Sequence, residues 1–290
     1  MYISMTSGVL RLSVLVTPGY WKNHEYHRLN VKEYIEEFCG WSALKDLINS
    51  IYDQDKKAFF ATLFETGGRA LEVLTLRSEN FTLIPKENAL KVSRMRLLKR
   101  YRKIESYKEI VDGIEKNRWK TELLNKKRQS FTIPLKEPFA QIVLERVQAT
   151  TKGDYYLFPS PYKPNKKRME ALLKQHITVD RTGRLPYTWD WAYHFIRKLS
   201  DHLDDELKDR LGLKQPFYNG QGDKIAKEIH LWLHWFRSQK ASQLVEDYGF
   251  EVIDLINYFS WEDDKTALRY AKRGWKGLTR KMNNAEVDYS

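Results

Sequence analysis

LHWFRSQKASQLVEDYGFEVIDLINYFSWEDDKTALRYAKRG, residues 233–274, decides how this chain is read. Its apolar spacing predicts one helix up to a turn at Gly249. A second helix follows, built on Val252, Ile253, Leu255, Ile256 and Phe259, and a polar break at Glu262–Asp264 ends it. His234 and Arg237 lie three positions apart and share a helix face, so both are aimed at one ligand. Ala241, one turn on, suits close packing. Trp261 follows the second helix, and Tyr270 stands nine residues beyond it. Two cationic groups, an indole donor and a phenol are the parts needed to move a phosphoryl group onto tyrosine. Such a site calls for a second arginine from elsewhere in the chain.

That arginine stands in FFATLFETGGRALEVLTLRSENF, residues 59–81. An apolar helical run stops at Thr66-Gly67-Gly68, and Arg69 follows at the junction, where glycine permits a sharp turn. Leu71, Val73, Leu74 and Leu76 resume the apolar pattern around Glu72. Taken together the motifs resemble those of the tyrosine recombinase (phage integrase) family. Its first box, T-G-x-R-x-x-E-x-x-x-L, is matched by Thr66, Gly67, Arg69, Glu72 and Leu76. Its second, H-x-x-R-x-x-x-A, is matched by His234, Arg237 and Ala241. Its third, H or W followed nine residues on by Y, is matched by Trp261 and Tyr270. Tyr156–Ser160 (YLFPS) resembles the family's "LF-P" strand end. Ser238 stands where the family repeats a histidine, and Ser260 where it carries glycine. The long interval from Arg69 to Arg237 implies an insertion. The Lys- and aromatic-rich style is closer to archaeal members than to bacterial ones.

The resemblance spans residues 41–275 and implies an α+β, mainly α-helical catalytic domain with a small antiparallel sheet. It implies DNA strand cleavage and rejoining through a 3′-phosphotyrosyl bond, with no metal and no nucleotide cofactor. In that scheme Tyr270 is the nucleophile, and Arg69, His234, Arg237 and Trp261 hold the phosphate. A lysine of the small sheet protonates the leaving 5′-oxygen: Lys99 is the first choice and Lys91 the second. Arg94, Arg96, Arg100, Lys166, Lys167 and Arg168 are the expected contacts to double-stranded DNA. A homo-oligomer, a tetramer in relatives, would assemble on that DNA. Trp275, Leu278 and Met282 give the segment after Tyr270 an apolar stripe for docking. Two alternatives compete: a type IB topoisomerase-like relaxing enzyme with similar chemistry, and a non-catalytic DNA-binding relative, against which the intact set of residues argues.

Composition agrees with a polyanion partner. The 290 residues carry a net charge of +12, with nucleic acid ahead of a membrane surface as the reason. At 42% hydrophobic the chain holds enough apolar residues for a core. No run of about 18 apolar residues occurs, so no membrane-spanning helix is expected. A single cysteine, Cys39, excludes an internal disulfide framework and a cysteine-based zinc site. His230 and His234 are spaced i, i+4, but the acid of H-E-x-x-H and a third ligand are missing, which weighs against zinc. A cytoplasmic, DNA-associated protein is expected.

The remaining elements follow in order. Residues 1–40 are expected to be an extended arm or the remnant of a core-binding domain, with Asn30 capping a helix through Tyr34, Ile35 and Phe38. Residues 41–290 form the catalytic domain. Helices are expected over 42–52, 54–65, 137–150, 170–176 and 188–203, and strands over 81–84, 89–98 and 130–135. Residues 99–128 hold eleven Lys/Arg against five Asp/Glu; two readings stand, a solvated helical hairpin and a DNA contact beside the catalytic lysine. Residues 205–224 are expected to be loop-rich.

Overall fold

A computed structural model of the chain describes residues 2–6, 9–13, 38–97, 101–111, 114–123, 126–153, 155–163, 165–213, 217–218, 224–226, 230–262 and 264–271. The expected helix around Asn30, the residues Lys99 and Arg100, and the stripe at 275–282 lie outside them. Strands β1 (Tyr2–Thr6) and β2 (Val9–Ser13) pair as an antiparallel hairpin.

Helix α1 (Trp41–Asn49) buries Leu44, Leu47 and Ile48. Helix α2 (Gln54–Thr66) begins at Asp53, whose carboxylate accepts the amide of Lys56 and satisfies one of the open amides of the first turn. From Ala58 to Thr66 every side chain of α2 is buried, as befits a helix packed on all sides. Phe59 meets Phe158 and Trp191, Phe60 meets Phe195 and Phe236, and Phe64 meets Trp41 and Phe139. Gly67 ends α2 in the left-handed region at φ 55°, and the short helix α3 (Ala70–Leu74) starts at once from Arg69.

The sheet follows. β3 (Phe81–Ile84), β4 (Ala89–Val92) and a later strand, Phe131–Pro134, pair antiparallel in the order β3–β4–Phe131–Pro134. Arg94 breaks the second strand with φ 57°, and β5 (Arg96–Leu97) pairs separately. The expected helical hairpin is instead a β-hairpin. β6 (Tyr101–Val111) and β7 (Ile114–Leu123) run antiparallel, β8 (Lys126–Lys127) returns beside β5, and β9 is Phe131–Pro134. Cross-strand ion pairs line the hairpin: Lys108–Glu115, Arg118–Glu109 and Lys120–Glu105 at 2.8–3.1 Å. Residues 101–123 carry six Lys/Arg against five Asp/Glu, so the positive surplus of this insert gathers at its base.

Helix α4 (Ala140–Ala149) packs on α2, with Val143 and Leu144 buried. Helix α5 (Lys166–Leu173) starts four residues before its expected position, because Asn165 accepts the amide of Arg168 and caps it there. The basic triplet 166–168 is thus the first turn of a helix and not a loop before one. Helix α6 (Trp189–His202) is capped by Thr188. The stretch expected to be loop-rich holds helix α7 (Asp205–Arg210) and the short strands β10 (Phe217–Tyr218) and β11 (Lys224–Ala226). Helix α8 (Leu233–Tyr248) is buried from Trp235 to Val245 and ends at Gly249, φ 68°. Helices α9 (Val252–Phe259) and α10 (Asp264–Ala271) pack against its outer end. No described helix is long and apolar enough to cross a membrane.

One ionic cluster is enclosed in this packing. Lys240 of α8 places Nζ 3.4 Å from Glu65 Oε2 and 3.5 Å from Glu137 Oε2, all three being almost completely buried. Glu65 also accepts the amide of Phe139, and Glu137 accepts the hydroxyl of Tyr248. Two carboxylates share one ammonium. Burial pushes Glu65 up to about 7, with Lys240 opposing and Glu137 adding to the push.

Two outcomes are expected. Because the folded state raises Glu65 from 4.5 to about 7, the stability held by its proton is complete below pH 4.5. It declines as pH rises toward 7, a change on the order of 3 kcal/mol. Denaturant unfolding at pH 5 and pH 8 should show a smaller difference in Glu65→Gln than in the wild type; equal differences would mean Glu65 is ionised throughout. Gly67→Ala should cost about 1–3 kcal/mol in the same measurement. Its Cβ would lie 2.5 Å from Phe259 Cε1 at a strained φ. An unchanged midpoint would show that the ring yields freely.

Candidate active site

The site is built on the carbonyl of Gly67. Arg237 leaves α8 inward, 2% exposed, and donates Nη1 to Gly67 O at 2.6 Å. Glu72, in the first turn of α3, joins the two arginines of the motifs. It accepts the Arg69 amide at 2.9 Å on Oε2 and Arg69 Nη1 at 3.0 Å on Oε1, and its Oε2 lies 3.9 Å from Arg237 Nη1. The Arg69 side chain keeps about a third of its surface exposed (32%), so one guanidinium is enclosed while its neighbour faces solvent.

Three aromatic rings stack beside this pair. Phe259 lies 4.6 Å from the Arg237 guanidinium carbon and Trp261 lies 5.6 Å from it, distances at which a ring face attracts a cation. Phe259 and Trp261 stack at 4.5 Å and 15°, and Trp261 and Tyr270 at 5.6 Å and 14°. Ser260 turns Trp261 into the stack by ending α9 at φ 50°, which explains why glycine is at home in that position. Tyr270 is buried on α10, and its hydroxyl lies 3.0 Å from Ser238 Oγ. Ser238 is the residue after Arg237, so one helix turn holds both the guanidinium and the partner of the phenol.

A residue that the motifs do not contain completes the site. Arg128, directly after β8 and before β9, is buried and donates Nη1 to Thr66 O at 2.6 Å and Nε to Tyr258 O. Its guanidinium carbon lies 3.9 Å from the Phe131 ring, 4.5 Å from Tyr258 and 5.2 Å from Phe259. The next amide, of Gln129, donates to Ser260 Oγ at 3.2 Å. This strand end therefore fastens the Gly67 turn to the Ser260 turn. Its place between a Lys-Lys pair and a strand is a weak signal, since its acceptors are carbonyls 62 and 130 residues away.

Positive charge is in excess here. Burial pulls Arg237 down to about 9, Glu72 opposing, with Arg69 and Arg128 repelling it. Burial likewise pulls Arg128 down to about 10. The Nη2 atoms of Arg128 and Arg237 are buried and have no hydrogen-bond partner among the described residues. Such open donor edges are costly, and an oxyanion is the group that satisfies them with the strongest bonds.

The other singled-out residues fall around this centre. His234 stands one turn before Arg237 at the exposed end of α8. Lys91 is exposed in the middle strand of the sheet, opposite Thr82 and Thr132. Arg94 is exposed, whereas Arg96 is half-buried and donates to the carbonyls of Gln175 and His176. Lys166 is exposed on α5; Arg168 donates Nη2 to Pro186 O at 2.7 Å. Lys167 shares that first turn. His230 pairs with Asp201 at 3.2 Å. Among the described residues no group of three or more His, Cys, Asp or Glu side chains is arranged to hold a metal.

No family model matches the chain, and no curated protein does. Solved structures similar to it include the Tn1549 transposon integrase in complex with a circular intermediate DNA, at 13% identity and a TM-score of 0.45 over 87% of this chain and 66% of that one. XerA recombinase is similar at 12% identity and a TM-score of 0.43, over 86% of this chain and 64% of that one. XerH site-specific recombinase bound to difH substrate is similar at 11% identity and a TM-score of 0.41, over 84% and 52%. The chain thus spans about half to two thirds of the length of these solved chains.

Proposed function

We propose that this chain cleaves and rejoins DNA strands by transferring a backbone phosphoryl group to Tyr270, as a site-specific recombinase does. The observation that carries the reading is the buried Arg237 edge with no partner among the described residues, set beside a phenol and two more guanidiniums that outnumber Glu72. A phosphodiester brings the charge this centre lacks. Guanidinium suits the task because its fixed fork grips two oxygens and keeps its charge.

In the proposed reaction the Tyr270 oxygen attacks phosphorus, the bond to the 5′-oxygen breaks, and a 3′-phosphotyrosyl bond forms. Arg69 and Arg237, with Trp261 and His234, stabilise the charge of the five-coordinate transition state. Ser238, already hydrogen-bonded to the phenol, orients it and is the first group able to take part in moving its proton. Lys99, or Lys91 in its place, protonates the departing oxygen. A different 5′-hydroxyl then reverses the step and exchanges strands. Arg94, Arg96, Arg100, Lys166, Lys167 and Arg168 are proposed to flank the duplex. Residues 41–290 are proposed as the catalytic domain, acting as a homo-oligomer on DNA.

Tyr270→Phe removes one oxygen and keeps the ring in its stack. It should leave folding and DNA binding intact and abolish the covalent adduct on a nicked duplex, which denaturing electrophoresis before and after protease reads directly. An adduct that survives would assign attack to another tyrosine and end this reading. Tyr248 and Tyr258 are poor substitutes, since their hydroxyls donate to Glu137 and to the carbonyl of Glu65. Arg237→Ala should slow adduct formation by about 10²- to 10³-fold or more. Mixing two differently labelled duplexes should yield exchanged products; relaxation of a supercoiled circle without exchange would replace recombination by a topoisomerase-like activity.

A further inference from the structure

A second basic recess opens away from the tyrosine. A cavity of about 240 Å³ is lined by Arg77, Arg94, Arg96, Lys127 and His176, with Glu79 the only acid on its wall among the described residues. It sits at the far end of the five-residue helix that Arg69 begins, a length of about 7–8 Å. Met95, buried between Arg94 and Arg96, lies directly under Gly68, where an added Cβ would meet its Cε at 2.2 Å. The two arginines are therefore carried by the residue that supports the Gly67–Arg69 turn.

One wall of the recess is fixed in advance. Arg77 donates Nη2 to Tyr156 Oη and Thr178 Oγ1, both at 3.0 Å. Arg96 donates to the carbonyls of Gln175 and His176, which belong to the left-handed turn ending α5. Carbonyls hold the Arg96 guanidinium in place without cancelling its charge. Burial pulls it down, and Arg77 adds repulsion. The opposite wall is uncommitted. Arg94 and Lys127 are exposed, and neither forms a side-chain hydrogen bond or ion pair among the described residues. Arg94 holds φ 57°, a conformation sparsely populated by residues other than glycine and commonest where function requires it. Charges of one sign around a concave polar site focus potential and attract a counter-charge.

We propose that this recess seats a phosphodiester of the DNA backbone, distinct from the phosphate that Tyr270 attacks. Arg77 and Arg96 form the rigid back of the seat, and Arg94 and Lys127 close on the bound oxygens. The proposal rests on the DNA-cleaving reading for its ligand, whereas the preference for a phosphate group rests on the recess alone. It gives the positive surplus at the hairpin base a specific task, which is to set the register of the duplex on the site, since phosphate contacts position without reading sequence.

The test uses full-length protein carrying Tyr270→Phe, so that binding is measured without cleavage, with and without Arg94→Gln and Lys127→Gln. Both side chains are exposed, and equal melting temperatures verify that the substitutions spare the fold. Duplexes carry a single neutral methylphosphonate at successive linkages. One linkage away from the scissile position should weaken binding about tenfold when the recess is intact and should have no effect in the double substitution. The slope of log affinity against log salt should fall by about 0.9 at the same time. Equal sensitivity of both proteins at every linkage overturns the proposal. Inorganic phosphate at millimolar concentration provides the other arm. If it raises the melting temperature only when Arg94 and Lys127 are present while the linkage scan is flat, the recess binds a free anion and the DNA assignment is wrong. If no duplex binds at all, the DNA-cleaving reading fails by itself, and the phosphate arm alone decides whether the recess takes an anion.

Discussion

The hydrogen bond from Arg237 to the carbonyl of Gly67 joins parts of the chain 170 residues apart, and much else follows from it. A guanidinium loses its hydration when enclosed, and only dense compensation makes that tolerable. Gly67 offers a carbonyl, Glu72 a carboxylate and Phe259 a ring face, and together they account for one edge and one face of Arg237. What they leave open, among the described residues, is Nη2. An enclosed cation that is held firmly but incompletely satisfied is preorganised for a ligand, because little has to move when the ligand arrives.

The aromatic stack is the second consequence. Phe259 lies against both the Gly67 position and Arg237, Trp261 lies on Phe259, and Tyr270 lies on Trp261. The phenol is thus referenced to the arginine through two rings, and to Ser238 through its hydroxyl. Arg128 performs the corresponding task for the backbone, since it grips the turn before Gly67 and the end of α9 together. Loss of a contact in this group would shift the whole group, since packed interiors transmit displacement rather than absorb it.

The helices and the three motifs were legible in the sequence because their signals are local. Apolar periodicity marked α1, α2 and α9, and glycine marked the ends of α2 and α8. Arg69, Arg237, Trp261 and Tyr270 were placed together on spacing, and the structure sets them in one network, while His234 lies at its exposed rim. The hairpin at 101–123 departs from a helical expectation because its charged strands have no apolar period of their own; their partners are each other. Asp112-Gly113 between them is a two-residue hairpin signal that outweighs the count of charges. The start of α5 is hidden for a similar reason: lysines in a first turn oppose the helix dipole, yet Asn165 supplies the cap that overrides them. Arg128 and the trio of Lys240, Glu65 and Glu137 were invisible, because nothing near them in the chain reveals the carbonyls and carboxylates they meet in space.

That trio has a consequence for how such a chain can diverge. Lys240 lies one turn past Arg237 and Glu65 just before Thr66, so the cluster touches two motifs without belonging to either. Removing Lys240 alone leaves two enclosed carboxylates without their ammonium, and removing both carboxylates strands the ammonium, whereas replacing all three by apolar groups strands nothing. Descent should therefore pass through these positions jointly. Among chains of common ancestry, 65, 137 and 240 are expected to keep their charges as a set or lose them as a set, even where the hairpin at 101–123 varies freely.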